Sequence, residues 1–290
     1  MSNEQIYRGK ICVVTGAASG IGRALALALH KAGAILAISD IDGEGLAKTA
    51  ERLGGTSANT LLVDTLDIAN ADEIERYGPH VKASLGPADY LFNVAGLTRI
   101  GNFDDSPLGA MEKVIDVNFW GAVRMCKAFL PQLKATKGGI VNVASLFSLI
   151  GVGGQTHYCA SKFALRGFSE SLVQELADFG VGVSVVCPGA VDTNITRNAE
   201  IDALPARVKS HEHINNMFKK IARTSADQAA QIILDGVAKG KLQILVGKDA
   251  RRAAFIQRLL PQNYIRLMMR RDKKSKAGDL KKQNQKKAGR

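Results

Sequence analysis

Long apolar runs are the first thing this chain of 290 residues lacks. Its most apolar stretch, residues 24–39, is broken by His30, Lys31 and Gly33. No segment therefore offers the roughly 20 consecutive apolar residues of a membrane span. Residues 1–10 are polar, and no apolar core follows a charged start. A leader peptide is not expected, and the reading is cytoplasmic, with peripheral contact to a membrane left open. Cysteine is sparse. Cys12, Cys126, Cys159 and Cys187 show no C-x-x-C spacing, which argues against a disulfide framework and for small buried hydrophobes. His211 and His213 stand in a polar stretch with no third ligand in view, so no metal is expected there.

Net charge is missing from most of the chain too. The formal charge is +12, yet residues 1–249 hold 25 Lys or Arg against 25 Asp or Glu. Residues 250–290 hold 14 against 2 and carry the whole excess. A basic tail of this kind could suit nucleic acid, but the neutral body shows no matching basic face, so that partner is not expected.

What is present is alternation. Runs rich in Val, Ile and Leu at 11–14, 35–38, 60–63, 90–93, 140–143, 182–187 and 242–246 are short enough for buried parallel strands. Amphipathic stretches at 21–31, 43–53, 71–84, 108–133, 158–179 and 226–239 predict helices between them. Strict alternation implies right-handed crossovers and an α/β doubly wound, seven-stranded parallel sheet with helices on both faces. The pattern fails once, over residues 190–223, which are polar and weakly periodic and include Asn194, Asn198 and Pro205. Lying just past a strand end, where ligands bind in such sheets, this stretch reads either as a substrate lid or as a solvated insertion.

The run Thr15-Gly16-Ala17-Ala18-Ser19-Gly20-Ile21-Gly22 falls between the first strand and the first helix. Glycines allow a tight turn and a close approach of backbone to a pyrophosphate, and the helix N-terminus favours anions. Asp40 ends the second strand, where a carboxylate can accept from the adenosine ribose hydroxyls and repel a 2′-phosphate. No Lys or Arg occupies positions 18, 19, 41 or 42. The balance favours NAD over NADP.

Tyr158 and Lys162 are one helical turn apart and share a face. An ammonium beside a phenol is expected to lower its pKa from about 10, as acid/base work on an alcohol oxygen requires. Ser145, thirteen residues before the tyrosine, can hold that oxygen.

With these residues in order, residues 8–247 resemble the short-chain dehydrogenase/reductase family, and the fold implied is Rossmann-type. The glycine run, with Gly16, Ser19, Gly20, Ile21 and Gly22, resembles the family's cofactor loop. Asn93-Val94-Ala95-Gly96 is similar to its N-N-A-G motif, with valine at the second place; Asn93, Ala95 and Gly96 are implied to brace the central strand and line the adenosine side. Asp67-Ile68 resembles the pair that meets the adenine, with Asp64 a rival. Asn118 resembles the asparagine of the proton relay, and Ser145, Tyr158 and Lys162 the catalytic set, the last two also binding cofactor. Pro188, Gly189 and Thr193 resemble the P-G-x-x-x-T segment at the nicotinamide.

The resemblance implies NAD-dependent interconversion of a secondary alcohol and a ketone, with an NADP-preferring reductase and a non-catalytic dinucleotide sensor as alternatives. It also implies a homodimer or homotetramer joined through the 108–133 and 158–179 helices. One dehydrogenase domain is expected over 1–249. Residues 250–270 read as an amphipathic basic extension, broken into two helices near Pro261. Residues 271–290, rich in Lys, are expected to lack fixed structure. The extension could dock on the body or a second subunit, cap the cleft, or lie on an anionic membrane surface.

Overall fold

In the computed structural model, the described residues are 3–55, 60–193, 195, 197–203, 210–267 and 269. Asn194, Pro205, Met268, Arg270 and the Lys-rich stretch 271–290 lie outside them. Seven strands form one parallel sheet: β1 Ile11–Thr15, β2 Ile35–Asp40, β3 Leu61–Thr65, β4 Tyr90–Asn93, β5 Gly139–Val143, β6 Gly182–Pro188 and β7 Gln243–Val246. Their order is β7-β6-β5-β4-β1-β2-β3. The winding reverses between β1 and β4, so their carboxyl ends diverge and open a crevice.

Alternate residues of β1 feed opposite cores, as the two-residue period of a strand demands. Cys12 and Val14 join Leu25, Leu29, Leu46 and Ile233 on one face, and Ile11 and Val13 join Ile74, Val81, Phe129 and Leu172 on the other. The first face is covered by α1 Asn3–Tyr7, α2 Gly20–Lys31, α3 Gly43–Arg52 and α9 Ala226–Ala238. The second is covered by α4 Ala71–Leu85, α6 Ala122–Thr136 and α7 Thr156–Leu176. Burial on both faces is why these strands read as plain apolar runs.

Two segments differ from the sequence-based expectation. The helix predicted over 108–133 is α5 Leu108–Ile115 and α6 joined by a π-helical turn, Asp116–Gly121. The stretch expected to break the alternation contains a helix, α8 His211–Ile221. Its two ends pair with each other, Val191–Asp192 with Thr224–Ser225, and Glu200–Ile201 within it pairs with Arg99–Ile100, each in parallel. The second pairing is reinforced by Arg99 Nε, 2.6 Å from Asp202 Oδ1.

The extension begins with α10 Lys248–Leu259; a turn follows, and residues 264–267 are helical again, the break expected at Pro261. Ala253, Ala254 and Tyr264 pack against a small core of Ala144, Leu149, Ile150, Leu165 and Cys187. Among the described residues no helix is long and apolar enough to cross a membrane, no group of three or more His, Cys, Asp or Glu could hold a metal, and all four cysteines are buried and unbridged.

Candidate active site

The glycine loop joins the end of β1 to the start of α2, and it is held by contacts that only glycines permit. Gly16 has φ +70°, and a Cβ on Gly22 would lie 2.0 Å from the carbonyl oxygen of Gly16, a clash no rotamer relieves. Thr15 Oγ1 accepts from the amides of Val94 and Ala95, at 3.0 and 3.2 Å, tying the loop to the strand on the far side of the crevice. Ser19 stands at the N-cap of α2 but makes no side-chain cap bond, although serine ordinarily caps. The first-turn amides therefore face the crevice without a hydroxyl of their own chain over them, an arrangement that fits an anion.

Asp40 Oδ2 accepts from the Ala18 amide at 2.9 Å, and Oδ1 from the Asp42 amide at 3.0 Å. The carboxylate predicted to meet the ribose is thus fixed against the loop. Arg23, which the motif did not single out, donates to the carbonyls of Ala18 and Gly45 and to Thr49 Oγ1. Thr49 in turn donates to the Ala17 carbonyl at 2.8 Å. Beside this loop a cleft of about 300 Å³ is lined by Ser19, Gly20, Arg23, Arg52, Thr193 and Arg197, among others. Thr193 and the glycine loop therefore share one opening.

The residues expected on the adenine side have partners within the chain. Asn93 donates to Asn142 Oδ1 at 2.8 Å in the core, so it braces the central strands. Asp64, the rival to Asp67, sits 3.4 Å from His80 Nε2 of α4. Asp67 Oδ1 accepts from the Ala69 amide at 2.9 Å in the loop after β3. Neighbouring Ile68 is buried.

The second half of the crevice brings the remaining candidates together. Ser145 follows β5, and its Oγ accepts from the Phe147 amide at 3.1 Å. Tyr158, in the first turn of α7, is buried, with the Ser145 side chain near enough to act on its phenol, and its ring meets Phe147 edge to face. Lys162 is buried, donates to the Val143 carbonyl at 3.0 Å and lies 5.7 Å from the Tyr158 ring centroid. Asn118 sits inside the π turn. Its amide bonds both ways with the backbone of Leu97, at 2.8 and 2.9 Å, and donates to Ser161 Oγ at 3.1 Å. Gly96 is thereby pressed against both Asn118 and Lys162.

The electrostatics correct one expectation. Burial pushes the Tyr158 phenol up to about 12, and Ser145 only moderates the rise. Burial also pushes Lys162 down to about 8. Among the protein's own groups, desolvation sets the direction of the phenol's shift, opposite to the lowering anticipated from its lysine. A neutral phenol in contact with Ser145 is a proton donor as it stands, and becomes an acceptor only with further positive charge nearby.

Pro188 ends β6, and Gly189 and Ala190 follow. Here sequence reasoning missed Asp249, whose Oδ2 accepts from the Ala190 amide at 2.7 Å. Its only sequence signal is an acidic residue in the first turn of a helix, which does not say what it caps.

The comparisons with known proteins agree with this geometry. Residues 10–204 match the family model described as short chain dehydrogenase, and the chain belongs to the short-chain dehydrogenase/reductase family of oxidoreductases. "Putative oxidoreductase SadH" of Mycobacterium tuberculosis is 41% identical over 266 residues, 90% of this chain and 95% of that protein. Epidermal retinol dehydrogenase 2 of Mus musculus is 39% identical over 191 residues, 64% of this chain and 62% of that protein. Among solved structures, a short chain dehydrogenase/reductase from Burkholderia phymatum in complex with NAD superposes with TM-score 0.78 at 26% identity, covering 88% of this chain and 95% of its own. An alcohol dehydrogenase from Thermococcus sibiricus complexed with 5-hydroxy-NADP gives 0.70 at 25% identity, over 82% and 96%.

Proposed function

We propose that the protein interconverts a secondary alcohol and a ketone, with NAD as the hydride carrier. The observation that carries this reading is the buried contact of Tyr158 with Ser145 beside the buried Lys162. Gly16, Ser19, Gly20, Ile21 and Gly22 would hold the pyrophosphate, Asp40 the adenosine ribose, and Asp67 with Ile68 the adenine. Ala95 and Gly96 would line the crevice, and Pro188, Gly189 and Thr193 would meet the nicotinamide end. When bound, the nicotinamide ring supplies hydride-transfer chemistry and, oxidised, a positive charge.

The chain's own residues manage the proton. Ser145 holds the substrate oxygen, and Tyr158 takes its proton in oxidation and returns it in reduction. Lys162 supplies positive charge next to the phenol, which favours its ionised form. Asn118 holds the backbone at Leu97, so the wall beside Lys162 stays in register with the reacting oxygen.

An apolar substrate is supported by the loop after Ser145, where Leu146, Phe147 and Val152 are only partly buried. The name of the mouse retinol dehydrogenase points the same way. Preference for NAD is supported by the fixed Asp40 carboxylate. The reverse preference has one observation in its favour, the arginines 23, 52 and 197 around the neighbouring cleft. Kinetics with both cofactors and one active substrate separate the two. Association of two or four copies through the α5 to α7 helices is supported by the exposed apolar side chains of Leu108, Trp120 and Phe163. Contact of residues 250–290 with an anionic membrane belongs to the same reading.

Tyr158→Phe tests the assignment. Turnover is expected to fall by about 10²–10⁴, with dinucleotide affinity by calorimetry almost unchanged. Full activity in the variant refutes the role of the phenol. Absence of turnover in the parent across a broad panel of alcohols and ketones would favour a dinucleotide sensor.

A further inference from the structure

The outer face of α10 is made of two kinds of side chain that rarely share exposed surface. Arg251, Arg252, Phe255, Arg258 and Leu259 are all exposed, and their spacing of one, three, four and seven residues places them on one side of the helix. Phe255 is 64% and Leu259 61% exposed. Beyond Leu259 exposed side chains recur at Leu260, Ile265, Arg266, Leu267 and Met269. Water alone gives no reason for such apolar exposure.

We infer that this face is a docking surface for an anionic phospholipid bilayer, set so that the loop after Ser145 lies beside the lipid. Guanidinium groups pair with headgroup phosphates while Phe255 and Leu259 enter the acyl boundary, the division of labour of an interfacial helix. The 14 basic against 2 acidic residues of the segment 250–290 add attraction of the same sign. Charge argues against a second copy as the occupant. A two-fold contact would bring Arg251, Arg252 and Arg258 against their own equivalents. A nucleic-acid backbone would satisfy the arginines but leave the apolar side chains without a role.

The orientation follows from the opposite side of the helix. Ala253, Ala254 and Tyr264 rest on the core under the Ser145 loop, and the Gly151 amide lies 3.4 Å from Tyr264 Oη. At its start α10 is pinned to the Pro188–Ala190 loop through Asp249. The docked face is therefore carried by a helix anchored to two loops of the reaction site. The docking half of the inference stands without any substrate assignment; its value for an apolar alcohol drawn from lipid rests on the proposed activity.

The test uses the full chain and vesicles of mixed phosphatidylglycerol and phosphatidylcholine, with pure phosphatidylcholine as the comparison. The parent is expected to co-sediment with the anionic vesicles at low salt and to be released at high salt. The double variant Phe255→Ser, Leu259→Ser should lose about tenfold or more in apparent affinity, and Arg251→Gln with Arg252→Gln a similar amount. NAD binding in each variant confirms that the fold is kept. No pelleting of the parent overturns the inference, and so does equal pelleting of parent and apolar variant. An oligomer that falls apart in the apolar variant, by light scattering, assigns the face to a second copy. DNA binding weakened by the apolar substitutions assigns it to nucleic acid. None of these results bears on turnover, so a failed proposal of activity remains distinguishable from failed docking.

Discussion

The glycine loop with its tyrosine site and the stretch 190–223 border the same crevice, yet they are built on opposite terms. In the first, nearly every contact uses backbone or a committed polar atom: Thr15 to Val94 and Ala95, Asp40 to Ala18, Arg23 to Ala18 and Gly45, Asn118 to Leu97. In the second, the roots are pinned by strand pairing and by Arg99 with Asp202, while α8 between them leaves Met217 and Ile221 more than half exposed. On the proposed function, a dinucleotide and a proton transfer leave few residue choices in the first region, whereas a surface that need only suit one substrate leaves many.

Four measurements sharpen or break that contrast, the largest effect first. A phenol held near 12 is protonated at neutral pH, and its ionised fraction grows tenfold per pH unit. Alcohol oxidation, as kcat/KM, should climb about tenfold per unit from about pH 6 to 8, then bend as Lys162 loses its proton through about 8. A flat profile over that range contradicts the corrected electrostatics. Gly22→Ala forces a methyl group onto the Gly16 carbonyl. It should cost about 1–3 kcal/mol of stability in a denaturant titration and weaken NAD binding about a hundredfold, which is close to 3 kcal/mol.

Asp40→Ala removes a fixed negative charge at the expected ribose position. It should shift the ratio of kcat/KM for NAD over NADP towards NADP by about tenfold; an unchanged ratio would move the choice of cofactor to the arginine-lined cleft. Ile221→Ser, at an exposed position of α8, should leave stability within about 0.5 kcal/mol and cofactor affinity unaltered, with any effect confined to KM for the substrate. A loss of NAD binding there would mean that the two regions are not separable.

What could be read in the sequence follows the same division. The seven strands were legible because burial on both faces leaves little but Val, Ile and Leu, and the motif residues were legible because their spacing follows helical and loop geometry. α8 carries a signal of its own, since Ile214, Met217, Phe218 and Ile221 stand at helical spacing, but the polar residues before it dilute that pattern over the whole stretch 190–223. The π turn was invisible, because one extra residue in a turn alters no composition and little periodicity. Asp249 needed the tertiary approach of α10 to the Pro188 loop before it meant anything. The sign of the Tyr158 shift depended on how deeply the phenol is buried, and spacing to a lysine does not report depth.

The widened turn around Asn118 carries a consequence for how such a chain can change. A regular helix advances about 100° per residue, so deleting one residue of Asp116–Gly121 other than Asn118 would let the segment relax into ordinary α-helix while turning the asparagine relative to Leu97. The shortened protein would gain standard hydrogen bonding in that helix and lose the bracket on Leu97. A single in-frame deletion there is thus a mutation that local helix energetics would reward and that, on the proposed function, turnover would not survive.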